Sequence, residues 1–435
     1  MTMQKLAVSA NGRFLQLENG KPFFWLGDTG WLLFSRLNKE EAEYYLEVRR
    51  RQGYNVIQVM GIHHLSTKNV YGNGPLIDHD LAQPLLLNDP AHEGYWEHAD
   101  DLITMAERKG LYLAVVPVWG AAVKAGRVSV AQAEAYGRWL GKRYAGRPNI
   151  IWLIGGDVRG DVYPEVWEAL AESIKAVDRN HLMSFHPFGR TQSSTWFHAR
   201  RWLDFNMFQS GHHRYGQGGN GENPFGEDNW RYVEIDYARQ PSKPTLDGEP
   251  AYELIPQGLH DPNEPRWQAA DVRRYAYWSV FSGAFGHTYG HNSVMQMHSG
   301  DRPGKYGANK PWQEALFDEG AQQMQHLKNL LLAYPFFSRI PAPSVLAGDQ
   351  GERYERVVIT RGDDYLLAYT YTGRRFALRM GVIRGKQVKA SWYDPRTGFR
   401  TGLGVMDNSG ITEFVPPGEP AAGNDWVLIL ETVPE

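Results

Sequence analysis

The chain has 435 residues, 42% of them hydrophobic and 22% charged, with a formal net charge of −3. That length suits one large domain plus a smaller one, and the absence of any basic block or stripe argues against nucleic acid as a main partner. Zero cysteines exclude disulfides, thiolate catalysis and thiolate metal sites, and no apolar run is long enough to span a bilayer.

At the N-terminus, MTMQKLAVSANGRF has no apolar h-region, so no signal peptide is expected there. A secreted or periplasmic location is expected if one has been trimmed. LAVSANGRFLQLENGKP reads as a hairpin turning at Asn11-Gly12, so residues 1–22 are expected to form a short N-terminal β-hairpin packed on the large domain. A helix–Gly–strand unit then recurs. In NKEEAEYYLEVRRRQGYNVIQVM, Asn38 and Glu41 have capping-box spacing. Ala42, Tyr45, Leu46 and the stem of Arg49 share one face, and Gly53 ends the helix. The unit returns in AERKGLYLAVVPVWG and KRYAGRPNIIWLIGGD.

Strands are predicted near 23–28, 54–60, 111–117, 150–156, 182–186, 204–208, 244–249 and 284–290. Helices are predicted at 39–52, 96–109, 130–145, 163–177, 229–239, 267–282 and 311–333. Eight apolar strands alternating with helices imply parallel pairing and an α/β fold, a (β/α)8 TIM barrel over 23–335. From about 340 the pattern becomes period-two, with turn signals RGDD, TGRR and DPRTG, so residues 340–435 are predicted to form a C-terminal antiparallel β-sandwich.

Barrel chemistry sits at the C-terminal strand ends. Those ends carry Asp28, His63 and His64, Trp119, Asp157, His186, Gln209 with His212 beyond it, Asp247 and Glu249, and Tyr289 with His291. Asp157 is the pointed case, since NIIWLIGGD drives an apolar strand through two glycines onto a carboxylate. Glu249, after the seventh strand, is expected to face it across the mouth. Two carboxylates flanking one bond are what glycoside hydrolysis needs: one protonated, one ionised. The competing readings are a loop cap for Asp157 and an arginine salt bridge for Glu249. Asp247, two residues back, is the rival for the second carboxylate, whereas Asp161 and Glu253 read as loop groups.

The 15 Trp, 23 Tyr and 18 Phe either build a large core or line a groove that stacks on sugar rings. Trp31 and Trp119 are the candidates for the groove. Asp28 is expected to bind a sugar hydroxyl or to anchor strand one, and His63, His64, His186, Gln209, His212, Tyr289 and His291 to bind sugar hydroxyls or the carboxylates. No HExxH spacing exists, and neither a metal nor a cofactor is expected.

GRFLQLENGKPFFWLGDTGW, GYNVIQVM, NIIWLIGGD, KPTLDGEPAYE and SWYDPRTG together resemble the apiosidase-like glycoside hydrolases, a barrel followed by a small β domain labelled collagen-binding. The resemblance implies a retaining hydrolase with Asp157 as acid/base and Glu249 as nucleophile. It also implies a pectic substrate, the apiose-linked side chains of rhamnogalacturonan II. Nothing in residues 340–435 indicates collagen. The expected partner is an oligosaccharide or polysaccharide, with no nucleic acid and no membrane; oligomeric state is not legible. The alternatives are a retaining glycosidase of the same fold on another sugar, β-glucanase-like for example, and a non-catalytic glycan-binding protein.

Overall fold

A computed structural model describes residues 3–87, 92–218, 221, 223–301 and 303–433. The extreme ends of the first and last predicted domains therefore lie outside the described residues. Eight short strands form the barrel: strand 1, Trp25–Thr29; strand 2, Val56–Met60; strand 3, Tyr112–Val116; strand 4, Ile150–Val158; strand 5, Met183–Pro187; strand 6, Asn206–Gln209; strand 7, Thr245–Asp247; strand 8, Gly286–Tyr289. Strands 8-1-2-3-4-5 form one parallel sheet, and strands 6 and 7 pair in parallel beside it. Backbone hydrogen bonds bridge the two seams. Asp204 N–H donates to Met183 O (2.8 Å) between strands 5 and 6, and Phe285 N–H donates to Thr245 O (3.1 Å) between strands 7 and 8.

The first predicted helix shows how local sequence sets the units. Lys39–Arg51 begins at Asn38, whose side chain accepts from Glu41 N–H (2.8 Å), while Glu41 accepts from Asn38 N–H (3.0 Å). Gly53 then takes a left-handed φ of +84°, a conformation that costs a side-chain-bearing residue more. Ala42, Tyr45, Leu46 and Arg49 are buried as the spacing predicts, and for Arg49 the charged head is buried with the stem. Alternate residues of the strands split between two cores. Ile57, Val59, Leu113, Val115, Trp152 and Ile154 pack on the surrounding helices. Val56, Ala114, Val116, Ile151, Leu153 and Met207 belong to the second cluster, as period-two alternation requires.

The predicted N-terminal hairpin is present, Leu6–Val8 with Leu15–Leu17, and Pro22–Phe23 adds a third short strand to it before strand 1 begins. Two predictions need correction. The predicted helix 311–333 is two helices, Trp312–Ala315 and Glu319–Leu332, because Asp318 is extended and its carboxylate is committed to His291 and Lys310. In the sandwich, Tyr365–Thr370 is buried at all six positions rather than at alternate ones. One face of its sheet packs on the small sheet through Leu366, Ala368, Leu378 and Phe414. The opposite face carries Leu367 and Tyr369 into the barrel's core, where Tyr369 stacks on Tyr277 with ring centroids 4.7 Å apart. No helix among the described residues is long and apolar enough to cross a membrane.

A buried ion pair locks this junction. Arg273, on helix Ala269–Phe281, donates to both oxygens of Asp425 (3.0 and 2.8 Å), and Tyr369 Oη donates to the same carboxylate (3.2 Å). Asp425 is fully buried, so removing its cation strands a charge in the interface. Arg273→Met is expected to lower unfolding stability by about 3–5 kcal/mol. Chemical denaturation followed by tryptophan fluorescence should show this as one shifted transition covering barrel and sandwich together.

Candidate active site

Strand 4 keeps regular register with strand 5 as far as Gly155 opposite His186, then slips, so that Val158 is the next residue paired, with Pro187. Gly155, Gly156 and Asp157 occupy the slip with φ of +93°, +100° and +52°. A Cβ at Gly156 would lie 2.6 Å from the Trp119 ring, and one at Gly155 would lie 2.7 Å from His186 O. Both positions therefore demand glycine on contact and conformation alike. Aspartate tolerates the left-handed region better than most residues. The bulge re-aims the strand, and the Asp157 side chain opens into the barrel mouth. There its carboxyl is open to solvent, yet desolvation by the surrounding walls of the mouth first and the Glu249 charge second raise it above the usual aspartate range.

Glu249 follows strand 7 across Gly248 and precedes Pro250. The turn is held from both sides: Gln58 Nε2 donates to Gly248 O (2.6 Å), and Gly211 N–H donates to Glu249 O (3.0 Å). Two imidazoles meet the carboxylate. His212 Nε2 lies 3.2 Å from Oε1; His186 Nε2 lies 3.3 Å from Oε2, close but off the hydrogen-bonding line. Each ring accepts a backbone N–H at Nδ1, His186 from Asp157 and His212 from Tyr252, both at 3.4 Å. That leaves Nε2 as the protonated nitrogen of each ring, facing Glu249 in hydrogen-bonding geometry from His212 and beside it from His186. Burial alone would raise Glu249; the two histidines outweigh it and hold the carboxyl down at about 2.

Asp157 and Glu249 line one cavity of about 180 Å³ with Trp31, His63, Trp119, Gln209 and His212. Trp31 and Trp119 meet nearly edge to face at 5.3 Å, giving the cavity an aromatic wall. His186 lies beneath this floor, fully buried. The Glu249 partner is thus a pair of histidines, not the arginine of the competing reading, and the rival Asp247 is fully buried behind it. Asp247 accepts from Ser210 Oγ (2.6 Å) and Asn229 Nδ2 (3.1 Å) and is not among the cavity's lining residues.

Three expected sugar contacts lie elsewhere, each claimed by a partner from a distant segment. Asp28 is buried, accepting from Tyr45 Oη and Arg49 Nε (both 2.6 Å), and anchors helix Lys39–Arg51 to strand 1. Tyr289 Oη donates to Glu253 (2.6 Å), and His291 Nε2 meets Asp318 (2.7 Å). Glu253 is consequently no loop group: it is buried and also accepts the Gly320 N–H (3.1 Å). His64 is exposed outside the cavity with its ring stacked on His63 at 3.9 Å, since the pair lies in the loop beyond strand 2, where strand alternation does not apply. Sequence reasoning missed Tyr252, Lys305 and Tyr306, which line the cavity. Tyr252 was within reach, three residues after Glu249 in DGEPAYE; its hydroxyl accepts the Trp31 Nε1 proton (3.0 Å). Lys305 and Tyr306 arrive on the long loop after strand 8 and carry no local signal. Among the described residues, no three His, Asp or Glu side chains gather as a metal site would require.

Residues 9–338 match the family described as "Apiosidase-like, catalytic domain", and residues 340–431 match one described as "Putative collagen-binding domain of a collagenase". A search of curated proteins found no match. Among solved structures, one titled glycoside hydrolase is 54% identical, with a TM-score of 0.96 over 99% of this chain and 97% of its own. A glycoside hydrolase family 5 structure from Bacteroides vulgatus ATCC 8482 is 50% identical, with a TM-score of 0.95 over 98% of this chain and 94% of its own. An endo-1,4-β-D-mannanase from Thermotoga petrophila RKU-1, 15% identical with a TM-score of 0.51 over 71% of this chain and 100% of its own, shares the fold alone. The chain is a glycoside hydrolase and belongs to the apiosidase-like family.

Proposed function

We propose that the protein hydrolyses a glycosidic bond in a plant cell-wall pectic glycan with retention of configuration, an apiosidase being the narrower form of that reading. Asp157 is the acid/base and Glu249 the nucleophile. The observation that carries the mechanism is the opposite tuning of two carboxyls in one cavity: Asp157 raised, Glu249 held at about 2. Carboxyl pairs whose environments push them apart take different roles. Glu249 attacks the anomeric carbon as Asp157 gives its proton to the departing oxygen. The Asp157 carboxylate then takes a proton from water, which displaces Glu249 and regenerates both groups. The aromatic wall of Trp31 and Trp119 offers a sugar ring an apolar face.

The pectic part of the reading rests on the family match. The relative titled glycoside hydrolase family 5, 50% identical over nearly the whole chain, supports a second reading: the same double displacement on another sugar, β-glucanase-like for example. Incubating the purified protein with pectic oligosaccharides and with neutral β-glucan and β-mannan oligosaccharides, and identifying products by mass spectrometry, decides between them. The anomer released first, observed by proton NMR, tests retention.

Asp157→Asn is expected to lower kcat by about 10²–10⁴-fold on natural glycosides, and Glu249→Gln to abolish turnover. Both should melt within a few degrees of the wild type by differential scanning calorimetry; activity retained by either variant removes that residue from the mechanism.

The pH profile supplies a separate check. Glu249 is ionised above about 2 because the histidines oppose burial. His212→Ala removes one of those donors, so the Glu249 carboxyl should rise and the acidic limb of kcat/KM should move to higher pH by about one unit. The alkaline limb follows loss of the Asp157 proton; His212 also draws that carboxyl down, so this limb should move to higher pH as well, by less than the acidic one.

A further inference from the structure

Two hollows adjoin the cavity on the side of strands 1, 2 and 8. Arg36, His63 and Lys305 line both; His298 joins them in one, His64 and Lys68 in the other. His63 and Lys305 also line the cavity that holds Asp157 and Glu249, so both hollows border it. Neither hollow has an Asp or Glu among its lining residues. On a chain of net charge −3, such an accumulation of cations without counter-charge is unexpected.

Nearby cations behave differently. Lys39 pairs with Glu93 (3.0 Å) and Asp101 (2.7 Å), and Lys310 pairs with Asp318 (2.6 Å). Among the described residues, Arg36, Lys68 and Lys305 form no ion pair and are exposed. Arg36 ends the short helix Leu33–Arg36 just past Trp31, while Lys305 begins the turn Lys305–Gly307 that closes the far side. Two separate loops thus bring positive charge to one rim. His63 registers that field: burial first, then His64, Lys305 and Arg36, hold its ring down at about 4, so it is neutral at working pH and serves as a hydrogen-bonding group.

We propose that these hollows form an anion subsite, in which Arg36 and Lys305 hold a carboxylate or sulfate on the sugar next to the one being hydrolysed, with Lys68 at the outer edge. Arg36 offers a planar fork matched to either anion and Lys305 a mobile point charge. The inference rests on the glycan-hydrolase reading above and adds to it a required charge on the substrate.

The test compares a galacturonic-acid-containing oligosaccharide with the same oligosaccharide after carboxyl reduction, and a sulfated oligosaccharide with its desulfated form, in wild type, Arg36→Met and Lys305→Met. Wild type should favour one charged member, and that pair identifies the anion. Its preference, the ratio of kcat/KM values, should fall about tenfold in each variant. It should also shrink in wild type between about 10 mM and about 1 M salt, as screened surface charges require. Equal rates on charged and neutral members, or a ratio the variants do not move, overturns the subsite and leaves the hydrolase reading standing. If wild type cleaves none of these compounds, the substrate reading fails by itself. Calorimetric binding of the charged oligosaccharides to Glu249→Gln then decides the subsite: binding weakened about tenfold by adding Arg36→Met supports it, and no binding, or binding unmoved by that change, overturns it.

Discussion

The site depends on keeping one buried carboxylate charged. Removing Glu249 from water penalises its ionised form. The fold answers with two imidazoles whose protonated nitrogens are fixed by backbone donors on their other side. One of those donors is the N–H of Asp157 itself, so the backbone that presents one carboxyl also orients the ring that steadies the other. The bulge at Gly155-Gly156-Asp157 is therefore tied to both halves of the site, and its two glycines are required by neighbours at under 3 Å as well as by φ.

The barrel follows from the recurring helix–Gly–strand unit, because each unit is written in local signals: a cap, a stripe, a glycine, an apolar run. The strand ends of Asp157 and Glu249 could be read for the same reason. A barrel sends its strand exits to one mouth, so a carboxyl placed just past an apolar strand has a predictable address. Asp28, Tyr289 and His291 occupy similar addresses and turn elsewhere. What separates them from Asp157 is the arrival of Arg49, Glu253 and Asp318 from other segments, and no local pattern announces such partners. The sandwich shows the same gap. Its period-two reading holds for an isolated half-buried sheet and breaks where a second surface, here the barrel, covers the remaining face.

Asp28 shows how far such pairing reaches. Its carboxylate, with Arg49 and Tyr45, fastens the first barrel helix to strand 1, and Arg49 Nη1 continues to Gln52 Oε1 (2.7 Å) and Leu316 O (3.2 Å). Leu316 lies in the break between the two late helices, beside Asp318, the partner of His291. Asp28, Tyr289 and His291 thus belong to polar pairs behind the mouth that tie distant segments of the chain together.

The doubly covered sheet has one more implication. An appended module that merely tethers an enzyme to its substrate can be cut away or exchanged. Here Leu367, Tyr369, Val427 and Ile429 belong to the same apolar cluster as Tyr277 and Phe281 of the barrel's last helical layer. Severing the chain near 339 would leave an oily stripe on each fragment. The C-terminal unit is better regarded as the outer shell of the catalytic body, and a shuffled or shortened gene product would inherit insolubility before it lost any recognition property.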